Sequence, residues 1–222
     1  MKKLLSWLSI PCTALAVLSG SIACVLLVRP FYYVQIGPLG LCAASGLTEG
    51  RIRQVYGEIM DYCLGLRPDF SAGGLSFSAE RASHFADVRA LFLLDLLVLA
   101  VSLGLLLVLR VVCRRDGVPR LGGRTGGFWG AVLLLAGTVS VSLLAALDFD
   151  RTFTVFHSLF FPGRDNWIFE ERTDPVIRLL PQAFFRNCAI AIAALVLLGC
   201  VILLVTGRRR NPRPKRLAKS RK

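Results

Sequence analysis

Four long apolar runs, at residues 4–28, 88–112, 128–147 and 188–206, decide what this chain can fold into. Each approaches or exceeds the roughly 20 residues that a helix needs to cross a hydrocarbon core at about 1.5 Å per residue. Inside hydrocarbon every backbone N–H and C=O has to be satisfied within the segment, which leaves helices as the solution for runs of this kind. The 222-residue chain is 55% hydrophobic with a mean hydropathy of +0.61, more apolar than a soluble domain can hide. The expected fold is therefore all-α and membrane-embedded. A single membrane domain over residues 1–222 carries four transmembrane helices and a small extracytoplasmic cap of short amphipathic helices and loops.

The first run also has the outline of a secretory signal, because Lys2 and Lys3 precede it and Ser21-Ile22-Ala23-Cys24 loosely resembles a lipoprotein processing site. Serine stands three before Cys24 where such a site has leucine, and the run continues unbroken through Val28. The segment is read as a retained helix.

Charge orients the bundle. All five lysines lie at the termini, and the stretch from Arg110 to Arg124 adds Arg114, Arg115 and Arg120 against one acid, Asp116. By the positive-inside rule both termini, the loop 113–127 and the tail 207–222 are cytoplasmic, so segments 29–87 and 148–187 are extracytoplasmic. The cytoplasmic parts hold 16 bases and one acid, the remainder 11 bases and 13 acids, so the net +13 is mainly a topology signal. The tail from Arg208 onward is expected to meet anionic lipid head groups. No aromatic residues interleave its charges, which argues against nucleic acid as a partner. The seven cysteines form no framework; Cys42 and Cys63 alone could meet outside the membrane and are read as unpaired. No spacing matches a metal site, and no metal or cofactor is expected.

In segment 29–87, Thr48 can cap a helix whose face reads Ile52, Val55, Tyr56, Ile59, Met60 and Cys63, opposite Arg51, Arg53, Glu58 and Asp61. Such a helix lies along the membrane surface or packs over the bundle. Pro68, Gly73 and Gly74 then suggest a turn or small hairpin over 65–77. In segment 148–187, a helix capped by Asp150 would place Phe153, Phe156, His157 and Phe160 on one face. Pro162-Gly163 ends it, and Asp174-Pro175 opens another with Asp as cap and Pro in the first helical position. Trp167 suits interfacial depth.

The only two histidines, His84 and His157, both fall at the outer interface. With a helix start near Ser78, His84 shares a stripe with Asp87, Val88, Leu91 and Asp95. A carboxylate three residues on can bind one ring nitrogen and leave the other as a base. Asp95 is an acid inside a span, where acids are costly. A plainer account is open for each: interfacial anchors for the histidines, packing for Phe156 and Phe160, and a surface pair for Asp87 with Arg89. Spacing alone stops at a membrane protein with an outer polar cap.

The order of words in the outer segments is similar to the bacterial lipoprotein intramolecular transacylase family. The first half has Tyr56 with Met60-Asp61-Tyr62, Phe77-Ser78-Ala79-Glu80-Arg81 and His84-Phe85-Ala86-Asp87-Val88-Arg89 with Leu91-Phe92. The second has Asp148-Phe149-Asp150, Phe156-His157-Ser158-Leu159-Phe160-Phe161, Asn166-Trp167-Ile168-Phe169, and Asp174-Pro175 through Leu180-Pro181. The resemblance implies a four-span enzyme of the bacterial cell membrane acting on diacylglyceryl-modified lipoproteins and membrane lipid. It moves the sn-2 acyl chain to the modified cysteine's own α-amine and leaves a lyso-form lipoprotein. His84 and His157 match the family's functional histidines, and Asp87, Arg89, Tyr56, Asp150 and Trp167 fall in matching words as supporting residues. In the expected division of labour His84, oriented by Asp87, takes the amine proton and His157 donates to the departing oxygen, with the reverse order open. An acyl hydrolase using the same histidines on a water, and a non-enzymatic membrane scaffold that binds a partner through its Phe-rich segment, are the alternatives.

Overall fold

All four apolar runs become helices long enough to cross a membrane in the computed structural model, which describes residues 2–114, 117–169 and 173–208. The elements are α1 (Lys2–Leu27), α2 (Pro30–Tyr33), α3 (Leu41–Ser45), α4 (Glu49–Cys63), α5 (Ala79–Val112), α6 (Gly126–Leu147), α7 (Phe149–Phe160), a 3-10 turn (Pro175–Leu179) and α8 (Gln182–Thr206). Arg115, Asp116 and the tail from residue 209, to which the expected lipid contacts belong, lie outside the described residues.

Within the bundle α1 is the hub, packing against α5, α6 and α8, while α6 and α8 also pack on each other. Lipid tails are as apolar as leucine, so close backbone approach rather than hydrophobic exclusion joins such helices. The repeat Gly126-x-x-x-Gly130 provides it: a methyl group on Gly130 would stand 2.7 Å from the carbonyl oxygen of Ile10. Two hydroxyls of α1 are satisfied within the helix, Ser9 donating to the Ser6 carbonyl at 2.7 Å and Ser21 to Val17 at 2.7 Å. The outward faces, including Leu97, Leu107, Leu133, Leu144 and Leu198, are exposed as a lipid-facing surface must be.

Over one end of the bundle sits a cap with its own core. The Thr48 hydroxyl accepts from Arg51 N at 3.4 Å to start α4. Ile52, Val55, Tyr56, Ile59, Met60 and Cys63 are all buried, against Tyr32, Ile36, Leu41, Val176, Leu179 and Phe184. The amphipathic face thus meets protein, which resolves its two expected placements in favour of packing over the bundle. Tyr32 donates to the Leu179 carbonyl at 2.7 Å and so joins the two outer segments.

One local expectation is resolved and two change. Residues 65–77 form turns rather than a hairpin, with Gly73 at φ +61° pressed against Val55 so closely that a side chain has no room. Asp148, not Asp150, caps α7, its Oδ1 accepting from Arg151 N at 2.9 Å, because α7 already begins at Phe149, leaving Asp148 as the single residue after α6 ends at Leu147. Asp174 precedes the 3-10 turn but does not cap it; its carboxylate reaches across to the start of α5. All seven cysteines, Cys42 and Cys63 included, are free.

Candidate active site

A helix of 34 residues is about 50 Å long, against roughly 30 Å of hydrocarbon. The polar first turns of α5 therefore extend beyond its apolar run. Ser78 starts the helix by accepting from Arg81 N at 3.3 Å, and His84 stands on the second turn. His157 comes from the last turn of α7. Although far apart in sequence, their ring centroids are 5.9 Å apart, and the residues are 6% and 7% exposed.

Aromatic rings build the walls. Trp167 stacks on His157 at 4.5 Å and Phe153 lies 4.2 Å from it, while Phe161 and Phe169 meet His84 edge-on at 5.1 and 5.8 Å. His157 Nδ1 is 2.7 Å from the Phe153 carbonyl oxygen. That oxygen only accepts, so Nδ1 carries the hydrogen and donates it, and Nε2 of the neutral ring is a free base. Burial pushes His84 down to about 4, helped by the His157 ring and Arg81 and opposed by Asp87 and Asn166. Burial also lowers His157, against the Phe153 carbonyl, which favours the charged ring. Both imidazoles are thus neutral at pH 7.

Of the supporting residues, Trp167 lies in the site and Asp87 beside it. Asp87 makes no hydrogen bond to His84 or Arg89; it accepts from Arg164 Nη1 at 2.9 and 2.8 Å and from Asn166 Nδ2 at 3.0 Å. The expected orientation of His84 by Asp87 is therefore not direct. Arg89 donates to the carbonyls of Arg67 and Pro68 and covers the Tyr62 ring. Tyr56 is stacked on Tyr32 at 3.7 Å in the cap core, and Asp150 accepts from Gln182 at 2.6 Å, tying α7 to α8. These three build the cap away from the histidines. Phe156 and Phe160, expected on the His157 face, are 47% and 46% exposed.

Sequence reasoning missed the group that holds the two outer segments together around the site. Asp174 is fully buried and accepts from Ser78 N at 3.0 Å, Arg81 Nε at 3.1 Å and Thr173 Oγ1 at 2.8 Å. Arg81 also donates to the Asn166 carbonyl at 3.0 Å and lies over the Phe169 ring. Burial alone would raise the Asp174 carboxyl, but these donors outweigh it and hold it low. An Asp-Pro pair has a ready local reading as a helix start, and nothing in the spacing pointed to a partner more than ninety residues away. Asp95, the acid within a span, faces Ser19 of α1 and keeps Oδ2 buried without a hydrogen bond. Among the described residues no three His, Cys, Asp or Glu side chains gather as metal ligands would.

The fold is shared with solved structures. The integral membrane lipoprotein intramolecular transacylase Lit from Bacillus cereus superposes with a TM-score of 0.84 at 21% identity, covering 93% of this chain and 94% of that one. Two structures of that protein with one histidine replaced, by arginine and by alanine, each superpose with a TM-score of 0.78 at 21% identity. Each covers 93% of this chain, and 90% and 91% of its own. No curated protein matches. The family model described as lipoprotein intramolecular transacylase Lit matches residues 7–185. With that match over most of its length, the chain belongs to the lipoprotein intramolecular transacylase family, a family of acyltransferases.

Proposed function

We propose that this protein moves the sn-2 acyl chain of a diacylglyceryl-modified N-terminal cysteine of a bacterial lipoprotein to that cysteine's own α-amine. The observation that carries the reading is the pair of buried imidazoles brought to 5.9 Å at the polar end of a membrane bundle. Ester and amine belong to one molecule, so holding nitrogen against the carbonyl supplies up to roughly 7–11 kcal/mol of the barrier. What remains is proton traffic, which neutral rings can carry.

His157 is the base, because its Nε2 is bare while Nδ1 is engaged by Phe153. The amine nitrogen bonds to the acyl carbon and gives a proton to Nε2. The C–O bond then breaks, and the imidazolium returns that proton to the glycerol oxygen, leaving the enzyme unchanged. His84 is the neighbouring acceptor for the amine, and Trp167 and the phenylalanines exclude the water that would divert the acyl group to hydrolysis. Asp87 supports the site through Arg164 and Asn166, and Arg89, Tyr56 and Asp150 hold the cap. Charge orients the site outward, since Arg110, Arg120, Arg124 and Arg208 stand at the other ends of the spanning helices. On α7, Val155, Phe156, Leu159 and Phe160 are exposed beside the site. That face suits immersion at the head-group boundary, which sets His157 at ester depth.

Transfer within one molecule leaves its mass unchanged, so fragmentation of the product decides. Full-length protein with a diacylglyceryl lipopeptide is expected to give an N-acylated, lyso-form isomer. Loss of one acyl group with release of free fatty acid would establish a hydrolase instead.

The pH profile follows from the lowered rings. An α-amine ordinarily titrates at about 7.7–8.0, above both histidines. As pH falls the substrate amine charges first, and His84 only near 4. The kcat/KM of the lipopeptide should therefore rise about tenfold per pH unit up to the amine value and then level, as one titration. A second bend near 6.5 would mean that the rings titrate as ordinary histidines.

A further inference from the structure

Asn166 stands at the histidine pair with no task in the proton path. Its Nδ2 donates to Asp87 Oδ2 at 3.0 Å, and a carboxylate only accepts. That bond fixes the amide's sense, with nitrogen toward Asp87 and Oδ1 turned away from it. Arg164 anchors Asp87 through both oxygens, and Arg81 holds the Asn166 main-chain carbonyl at 3.0 Å. The amide is thus pinned from both ends.

Two buried atoms here have no partner, His84 Nδ1 and Asn166 Oδ1. One is a ring nitrogen able to donate, the other a carbonyl oxygen able only to accept. The Asn166 side chain favours the protonated form of His84, as a nearby accepting oxygen does. Leaving both atoms unmade in a buried site is costly, and a single bond between them relieves both.

We infer that Asn166 is a positioning residue for His84, its Oδ1 taking the ring's Nδ1–H and so fixing the tautomer that Phe153 imposes on His157. Both imidazoles then present Nε2 as an acceptor. A neutral primary amine has two N–H bonds and one lone pair, so two such acceptors hold both N–H bonds and free the lone pair for the acyl carbon. One proton passes to His157 and on to the glycerol oxygen; the other stays on the nitrogen beside His84 and remains in the amide product. Trp167, the next residue, stacks on His157, so one short stretch serves both rings. The inference rests on the transacylase reading, which places the amine between the histidines.

Because the chain has only two histidines, ¹⁵N-histidine labelling of the full-length protein gives two ring pairs, assigned with His157→Gln. At pH 7.5 the His84 spectrum is expected to show Nδ1 protonated and Nε2 bare. Asn166→Leu keeps the size and removes the acceptor. It should move His84 toward the Nε2–H form, leave His157 unchanged and slow lipopeptide turnover about 10- to 100-fold, the usual loss for an orienting partner. A native spectrum with the His84 proton on Nε2 overturns the inference without any variant, as does an Asn166→Leu protein whose His84 nitrogens do not shift. Full turnover by His84→Ala would instead overturn the role of that ring and leave the tautomer result standing.

Discussion

Replacing His157 by alanine should slow formation of the N-acyl product by about 10³-fold, within the 10²–10⁴ range for a positioned base. Nothing else within the site can replace it. His84 is nearby but in the proposed path it holds the N–H bond that stays in the amide, and the walls are hydrocarbon rings. His84→Ala should also lose activity, by less if the remaining base still reaches the amine. The measurement is single-turnover conversion of a lipopeptide by purified protein, with fragmentation of the product. A His157→Ala protein within threefold of the native rate would remove the base assigned here.

The second large effect concerns stability. Arg81→Met should cost roughly 3–5 kcal/mol, the usual penalty for stripping the partner from a buried charge, and lower the midpoint of thermal unfolding in detergent. Asp174 is 1% exposed at its side chain and Arg81 13%, so solvent cannot take the place of the guanidinium. The sign with pH follows from the depressed carboxyl. Its stabilisation is complete above the ordinary carboxylate value near 3.8 and disappears as pH falls through the lower folded value. The gap between native and variant protein is therefore widest at neutral pH and closes in acid. The double change Arg81→Met with Asp174→Leu should recover much of the loss, since it removes the stranded charge. A double variant no more stable than the single one would show that the pair does not act as a unit.

Much of this was legible in the chain, and for identifiable reasons. Four spans follow from run length, and the starts of α4 and α5 from Thr48 and Ser78, because a cap is a local bond over three residues. The histidines stood out by scarcity and by the words around them. Long-range pairing was not legible. Asp87 has Arg89 two positions away but pairs with Arg164, and Asp174 looks like a cap but closes on Arg81. Tyr56, Arg89 and Asp150 lie in matching words yet hold the cap, since neighbourhood in sequence fixes a helix face and leaves open which element covers it. On α7 the phenylalanines share the right spacing, but a helix at a boundary has both a protein side and an outer side. Periodicity separates those two only when one of them is polar.

The unbroken length of α5 acts as a ruler. From the last residue in the apolar core to His84 the distance grows by a fixed rise per residue, with no joint at which the ring could sink or lift. In the proposed orientation the histidine meets whatever functional group floats at one level of the leaflet. Depth, rather than the amino-acid sequence of the client, then becomes the criterion of choice, and lipoproteins with unrelated bodies present the same linkage at the same height.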